Sequence, residues 1–196
     1  MSTLTLERIA ERLAAHRPAD LDQPDGRRAA VAALLRFDRG APEVLLMKRI
    51  EREGDRWSGH VSFPGGNHHP DDPDLVATAV RETAEEVGID LSGAARLLGR
   101  LDSVIPLSRT GPVPMTVTPF VFELVTEVSP EPGDEAESVF WLPLDRVLAG
   151  ELDSEYEYLY GPQPMMLPCW RYDGYVVWGL TYRLLRDLMD LVSGSG

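Results

Sequence analysis

The run Arg81-Glu82-Thr83-Ala84-Glu85-Glu86-Val87-Gly88 sets three glutamates within five residues. On a helix Glu82 and Glu86 stand one turn apart and project almost side by side. Glu85 lies within about 60° of Glu82 around the axis, at 100° per residue. Each such pair of like charges costs about a few tenths of a kcal/mol in an isolated helix, so something must offset the repulsion. A hard divalent cation, Mg²⁺ or Mn²⁺, does so by accepting clustered carboxylate oxygens. Arg81 stands four residues before Glu85 and can pair with it. The plain alternative is a solvated acidic helix face. Ahead of the run, Pro64-Gly65-Gly66 allows backbone to approach a ligand closely, and a polar loop from Asn67 to Asp74 follows.

These residues need a frame. Val76, Ala79, Val80, Thr83, Ala84 and Val87 recur at 3.6-residue spacing and predict a helix whose glutamates point away from the apolar stripe. Asp71, Asp72 and Asp74 precede or open it, where the helix dipole favours negative charge, and Gly88 stops it. Ala29 to Phe37 and Val44 to Lys48 read as strands joined by a hairpin over Asp38-Arg39-Gly40-Ala41-Pro42. Pro64-Gly65-Gly66 is expected to break any regular element. Leu97 to Leu107 and Met115 to Val125 read as strands flanking a turn or mobile loop at Ser108 to Pro114. Glu51 to Ser58 and Glu131 to Glu137 read as charged loops, Val139-Phe140-Trp141 as a short strand, and Pro143 to Leu148 as a short helix. Tyr172-Asp173-Gly174-Tyr175 marks a hairpin. Helices are expected at both ends: one through Leu4, Leu6, Ile9, Leu13 and Ala14, capped by Thr3 or Thr5, and one through Leu180, Leu184, Leu185, Leu188 and Leu191. The pattern predicts an α+β sandwich with a mixed sheet between helices. Residues 1–25 form a helix and connector, 26–192 the main domain, and 193–196 a flexible tail.

At 196 residues, 43% hydrophobic and 26% charged, the composition is that of an ordinary globular domain. The formal net charge of −13 argues against binding a nucleic-acid polymer. It leaves room for a small phosphorylated ligand, because divalent cations bridge carboxylates to phosphate oxygens. No apolar run approaches the ~20 residues that span a bilayer. The lone Cys169 excludes an internal disulfide and suits a reducing, cytoplasmic setting.

The glutamate run and its approach resemble the box of the Nudix hydrolase family. The match runs from Gly66 through Asp72 to Arg81, Glu82, Glu85, Glu86, Gly88 and Ile89. The end of the box is complete. At the front, the family's usual glutamate eight residues before the arginine is Pro73 here, and Asp72 stands one position earlier. Phe63-Pro64-Gly65-Gly66, Asp72, Thr78 to Glu82 and Val177-Trp178-Gly179-Leu180-Thr181 are similar to the coenzyme A diphosphatase branch. That branch's upstream motif is altered: Arg56 stands three rather than four residues before Gly59, and its threonine is replaced around Met47-Lys48-Arg49.

The resemblance implies a Nudix-type α/β/α sandwich and a pyrophosphohydrolase that uses Mg²⁺ or Mn²⁺. Glu82 and Glu86 are implied as metal ligands and Glu85 as a direct or water-mediated one, with Arg81 orienting a carboxylate. Gly65 and Gly66 are implied to shape the loop and offer a carbonyl, and Asp72 to support the loop or bind an outer metal. The general base, or a further ligand, is implied to lie outside the box, at Glu135 or Glu137, with Glu123 a weaker candidate. His68, His69, the tyrosines at 156, 158 and 160, and Met165-Met166 are further candidates for substrate contact, each with an ordinary packing or solvent reading beside it. The substrate expected is coenzyme A or an acyl derivative. The alternatives are another nucleotide (NADH, ADP-ribose, a nucleotide sugar or a damaged triphosphate) or a non-catalytic nucleotide-sensing module. No nucleic-acid polymer or membrane partner is expected, and a homodimer is left open.

Overall fold

The computed structural model describes residues 4–21, 26–38, 41–54, 57–108, 111–160 and 163–194. Arg39 and Gly40 of the expected hairpin turn, the connector residues 22–25, Asp55, Arg56, Arg109, Thr110 and the last two residues of the tail lie outside the described residues.

Two long strands organise the molecule. Strand β1 (Arg27–Asp38) pairs antiparallel with β2 (Ala41–Arg49) and parallel with β8 (Met115–Leu124). Side chains alternate faces along a strand, and β1 uses both. Ala29, Ala33 and Leu35 enter one core, while Ala30, Ala32 and Leu34 enter the other. Such a doubly buried strand reads as a continuous apolar run, which is why Ala29 to Phe37 shows no polar alternation. The sheet runs β3 (Val61–Ser62), β2, β1, β8, β5 (Ala95–Arg100), with β4 (Gly65–Asn67) on β1 and β9 (Ala136–Pro143) on β2.

Helices cover both faces. Ile9 and Leu13 of α1 (Leu6–Ala15) and Leu184, Leu185 and Leu188 of α5 (Gly179–Ser193) fill the first core. Ala79 and Val87 of α2 (Leu75–Val87) and Leu91 of α3 (Leu91–Ala94) fill the second. A short α4 (Leu144–Leu148) follows β9. The result is the mixed-sheet α/β/α sandwich that the sequence predicts. Three more strands, β10 (Asp153–Tyr160), β11 (Gln163–Tyr172) and β12 (Tyr175–Val177), form a separate antiparallel sheet anchored by the buried Trp170. The β11–β12 turn has Asp173 at φ 48° and Gly174 at φ 82°, both in the left-handed region that a two-residue hairpin turn uses. Among the described residues no helix is long and apolar enough to cross a membrane.

Several elements differ from their sequence patterns. The strand expected over Leu97 to Leu107 ends at Arg100, after a register shift between Leu97 and Gly99. Beyond it Val104 forms an isolated bridge to Val117. The turn expected at Ser108 to Pro114 includes part of a small two-stranded sheet, β6 (Leu107–Ser108) with β7 (Gly111–Pro112). The short strand at 139–141 extends to eight residues, because its full length pairs with β2. Strand β10 lies outside the elements expected above, although Glu155 and Glu157 alternate with Tyr156 and Tyr158 at the two-residue period of a strand, in a ribbon largely exposed at its far end.

The Pro-Gly-Gly segment also departs from expectation. Pro64 bends the chain after β3 as expected, but Gly65 and Gly66 go on with Asn67 to form β4, with Val31 opposite Gly65 and Ala30 opposite Gly66. Gly65 has φ 153°, and a Cβ there would lie 2.6 Å from the Val31 Cα and overlap the Ala30 carbonyl. The glycine thus permits a backbone approach that any side chain would block. Gly65→Ala is expected to lose about 2–4 kcal/mol of stability through overpacking and backbone strain. Urea denaturation followed by circular dichroism measures this, and an unchanged midpoint would mean that β4 is not packed on β1 as described.

Candidate active site

Helix α2 starts where Asp74 accepts a hydrogen bond from the Ala77 N–H at 2.8 Å, and stops at Gly88, whose φ is 70°. Its C-terminal carbonyls, unpaired within the helix, are capped by the loop between β8 and β9. The Glu131 N–H donates to the Val87 carbonyl at 3.0 Å and the Gly133 N–H to the Glu86 carbonyl at 2.9 Å. That capping carries Glu135 to the glutamate end of the helix.

Arg81 gathers the approach loop onto the helix. Its Nε and Nη2 donate to the two oxygens of Asp72 at 3.0 and 2.9 Å, Nη2 donates again to the Asn67 carbonyl, and Nη1 donates to Glu82 at 3.0 Å and Glu85 at 3.1 Å. Five contacts match the five N–H groups of a guanidinium. Asp72 also accepts from the His69 N–H and the Thr78 hydroxyl, and Arg81 first, with these donors after it, holds its carboxyl well below the usual carboxylate range against burial. Asp72 therefore binds the loop to Arg81. His68 meets the Thr78 hydroxyl at 3.0 Å, and His69 is exposed.

The three glutamates occupy different environments. Glu85 is exposed and Glu82 mostly covered. Glu86 is 3% exposed, contrary to the expectation that all three point away from the buried face, whereas Ala84, placed on the apolar stripe, is exposed. The reason lies in β4 and β2. The Gly65 N–H donates to Glu86 Oε2 at 2.8 Å, and Arg49 Nη1 lies 3.6 Å from Oε1. Burial pushes the Glu86 carboxyl up to about 8, and its neighbours Glu82 and Glu135 push the same way against the Gly65 N–H and Arg49. Burial also raises the Glu82 carboxyl, against Arg81. A Cβ at Gly66 would fall on the Glu82 carboxylate, 2.7 Å from Oε2, so this glycine makes the pocket that Glu82 fills.

Outside the box the candidates separate. Glu135 bonds Arg52 at 3.1 Å, lies 3.5 Å from Arg49, and acts electrostatically on Glu82 and Glu86. Glu137 points elsewhere, to Lys48 at 2.8 Å. Glu123 pairs with Arg96 at 2.7 Å. Tyr156 stacks on Trp178 with centroids 4.4 Å apart, Tyr158 tilts against the same ring, and Met165 and Met166 are exposed. The residues that sequence reasoning missed are Arg49 and Arg52. Their signal was positional: Arg49 shares the strand face of Met47, which enters the helix-α2 core.

The donor set fits a hard divalent cation by type: carboxylate oxygens, one of them buried with its negative charge poorly compensated. As described, the arginines hold these side chains. Among the described residues no three His, Cys, Asp or Glu side chains converge closely enough to grip an ion.

A stability test follows from Glu86. Folded, this carboxyl keeps its proton up to about pH 8, whereas an ordinary glutamate releases it near 4.5. The folded state binds more protons across that window, so metal-free stability falls as pH rises through it. Thermal melts in EDTA between pH 5 and 8 should show a falling Tm, and Glu86→Gln should flatten the slope. Equal slopes for parent and variant would contradict the burial of this carboxyl.

The NUDIX domain family model matches residues 26–160. Mitochondrial coenzyme A diphosphatase NUDT8 of Mus musculus is 33% identical over 78% of this chain and 72% of its own length. An uncharacterized protein of Schizosaccharomyces pombe is 35% identical over 67% of this chain, which spans only 46% of that protein's length. Among solved structures, a MutT/nudix family protein from Enterococcus faecalis superimposes with a TM-score of 0.54 at 14% identity, covering 97% of this chain and 70% of that one. With its glutamate helix packed against a glycine strand in a mixed-sheet sandwich, the chain belongs to the Nudix hydrolase family.

Proposed function

We propose that this chain hydrolyses the diphosphate bridge of coenzyme A or an acyl-coenzyme A, releasing 4′-phosphopantetheine and 3′,5′-ADP. The observation that carries the reading is the placing of Glu82, Glu86 and Glu135 within electrostatic reach of one another beside α2, with Glu85 acting on Glu82 and Glu86 buried. The choice of coenzyme A rests on the upstream Phe63-Pro64-Gly65-Gly66 pattern and on the similarity to the mouse coenzyme A diphosphatase.

Glu82, Glu85 and Glu86 are the residues that would hold Mg²⁺ or Mn²⁺. Such an ion supplies charge neutralisation at the phosphates and a more acidic water. Arg81 fixes the directions of Glu82 and Glu85, and Asp72 ties the approach loop to it. Gly65 orients Glu86 through its N–H, while Gly66 gives Glu82 its space. Glu135 serves as the general base, taking a proton from the attacking water as that oxygen bonds phosphorus and the bridging P–O bond breaks. Glu137 is the weaker candidate because Lys48 holds it on another side. A cytoplasmic setting is part of the same proposal.

With Mg²⁺ or Mn²⁺, release of 3′,5′-ADP from coenzyme A should exceed turnover of NADH and ADP-ribose. A panel in which coenzyme A is untouched and another nucleotide is cleaved would remove the substrate and keep the chemistry. Glu86→Gln should lower kcat by orders of magnitude while circular dichroism stays unchanged, because shape is kept while the charge that a bound cation would draw from this carboxyl is lost. Parental turnover in that variant would move the chemistry away from α2.

A further inference from the structure

The loop from β8 to β9 meets the main chain of α2 at Gly133. The Gly133 N–H donates to the Glu86 carbonyl at 2.9 Å, and the Gly133 carbonyl accepts the Ala136 N–H at 3.1 Å, so Asp134 and Glu135 lie inside one closed turn. Across that turn the Glu135 carbonyl accepts the Ile50 N–H at 3.0 Å. Glu135 is thus held by its main chain between α2 and the residue after β2, before its carboxylate meets Arg52 at 3.1 Å. No side chain fits at Gly133. A Cβ there would overlap the Glu85 carbonyl oxygen and lie 3.3 Å from both the Glu85 carbonyl carbon and the Glu86 carbonyl oxygen. The φ of Gly133 lies outside the left-handed region, so the demand is for space and not for conformation. The obstacle is helix main chain, anchored by the buried Ala79 and Val87, and it cannot give way as a flexible side chain would. The loop must move instead, and Glu135 moves with it.

We infer that Gly133 is a positioning residue: by seating the loop's main chain directly on α2 it sets where the Glu135 carboxylate stands relative to Glu82 and Glu86. The inference rests on the reading of Glu135 as the general base. A base must come within hydrogen-bond reach of the proton that it takes, about 2.6–3.2 Å between heavy atoms. A misplacement of about 1 Å can cost about a hundredfold in rate. Gly133 offers no side chain to substrate or cation, so a residue that lifts the loop acts through Glu135. The loss falls on kcat, and KM is kept.

A double-mutant cycle in kcat tests this, run on the full chain with saturating Mn²⁺ and the nucleotide that the parent cleaves fastest. Glu135→Gln should lower kcat about hundredfold. Gly133→Ala should lower it about ten- to hundredfold while KM changes by less than about twofold. The two together should lose no more than Glu135→Gln alone, within about twofold, because both act on one proton transfer. Losses that multiply, or parental turnover in Gly133→Ala, overturn the inference. So does a raised Mn²⁺ requirement in that variant, which would trace its effect to Glu85 and Glu86. Should Gly133→Ala not fold, a glycine inserted after Gly133 serves: it adds no side chain against α2 but slackens the tether to Glu135. That insertion should lower kcat to a similar extent, and parental turnover in it is an equal refutation. Failure of the base assignment is distinct, because Glu135→Gln itself would then turn over at the parental rate.

Discussion

Four carboxylates brought to one end of a helix repel each other, and the surrounding structure is arranged around that repulsion. Arg81 answers it from within the helix, joining Asp72, Glu82, Glu85 and the Asn67 carbonyl. Arg49 answers from the end of β2, and the Gly65 N–H answers from β4. Remove these donors and the glutamates would swing into water, where separated like charges cost least. The glycine strand matters for the same reason, because only backbone packed tightly on β1 can deliver an N–H to a carboxylate as deep as Glu86.

The compensation is uneven along the helix. Arg81 satisfies the outer, wetter carboxylates, whereas Glu86 sits in low-dielectric surroundings with one good donor and a guanidinium at 3.6 Å. Burial raises the cost of a charge and strengthens any partner that reaches it. A site of this kind is poor at holding its own negative charge and well suited to sharing it with a cation. The loop from β8 to β9 adds to this by capping α2 and carrying Glu135 in the same stroke, so closing the helix and completing the acidic cluster are one structural event.

Much of this was legible in the chain. Spacing alone placed Glu82, Glu85 and Glu86 together on a helix, and Asp74 and Gly88 marked its ends. The apolar runs of β1 and β2 were legible as paired strands. Three things resisted. The burial of Glu86 depends on β4, which reads locally as a break because its glycines act through what they lack, a Cβ. The partners of Glu135 come from residues more than eighty positions earlier, and pairing at that range leaves no local pattern. Strand β10 does carry a signal, tyrosine alternating with glutamate at a period of two, but its pairing with β11 along residues 153–160 has no local mark.

The parallel join of β1 to β8 governs how the polypeptide assembles. Ala29 lies opposite Val117, whereas β1 and β2 pair with only two residues between them, Asp38 opposite Ala41. Local pairings close quickly, and distant ones wait on the entropy of a long loop. On a ribosome the hairpin has a partner as soon as it emerges, but its second edge stays bare until β8 has been made, with an apolar strand exposed meanwhile. The molecule's most vulnerable interval is therefore written into its strand order, and it lasts while β2, α2 and the glutamates themselves are being made.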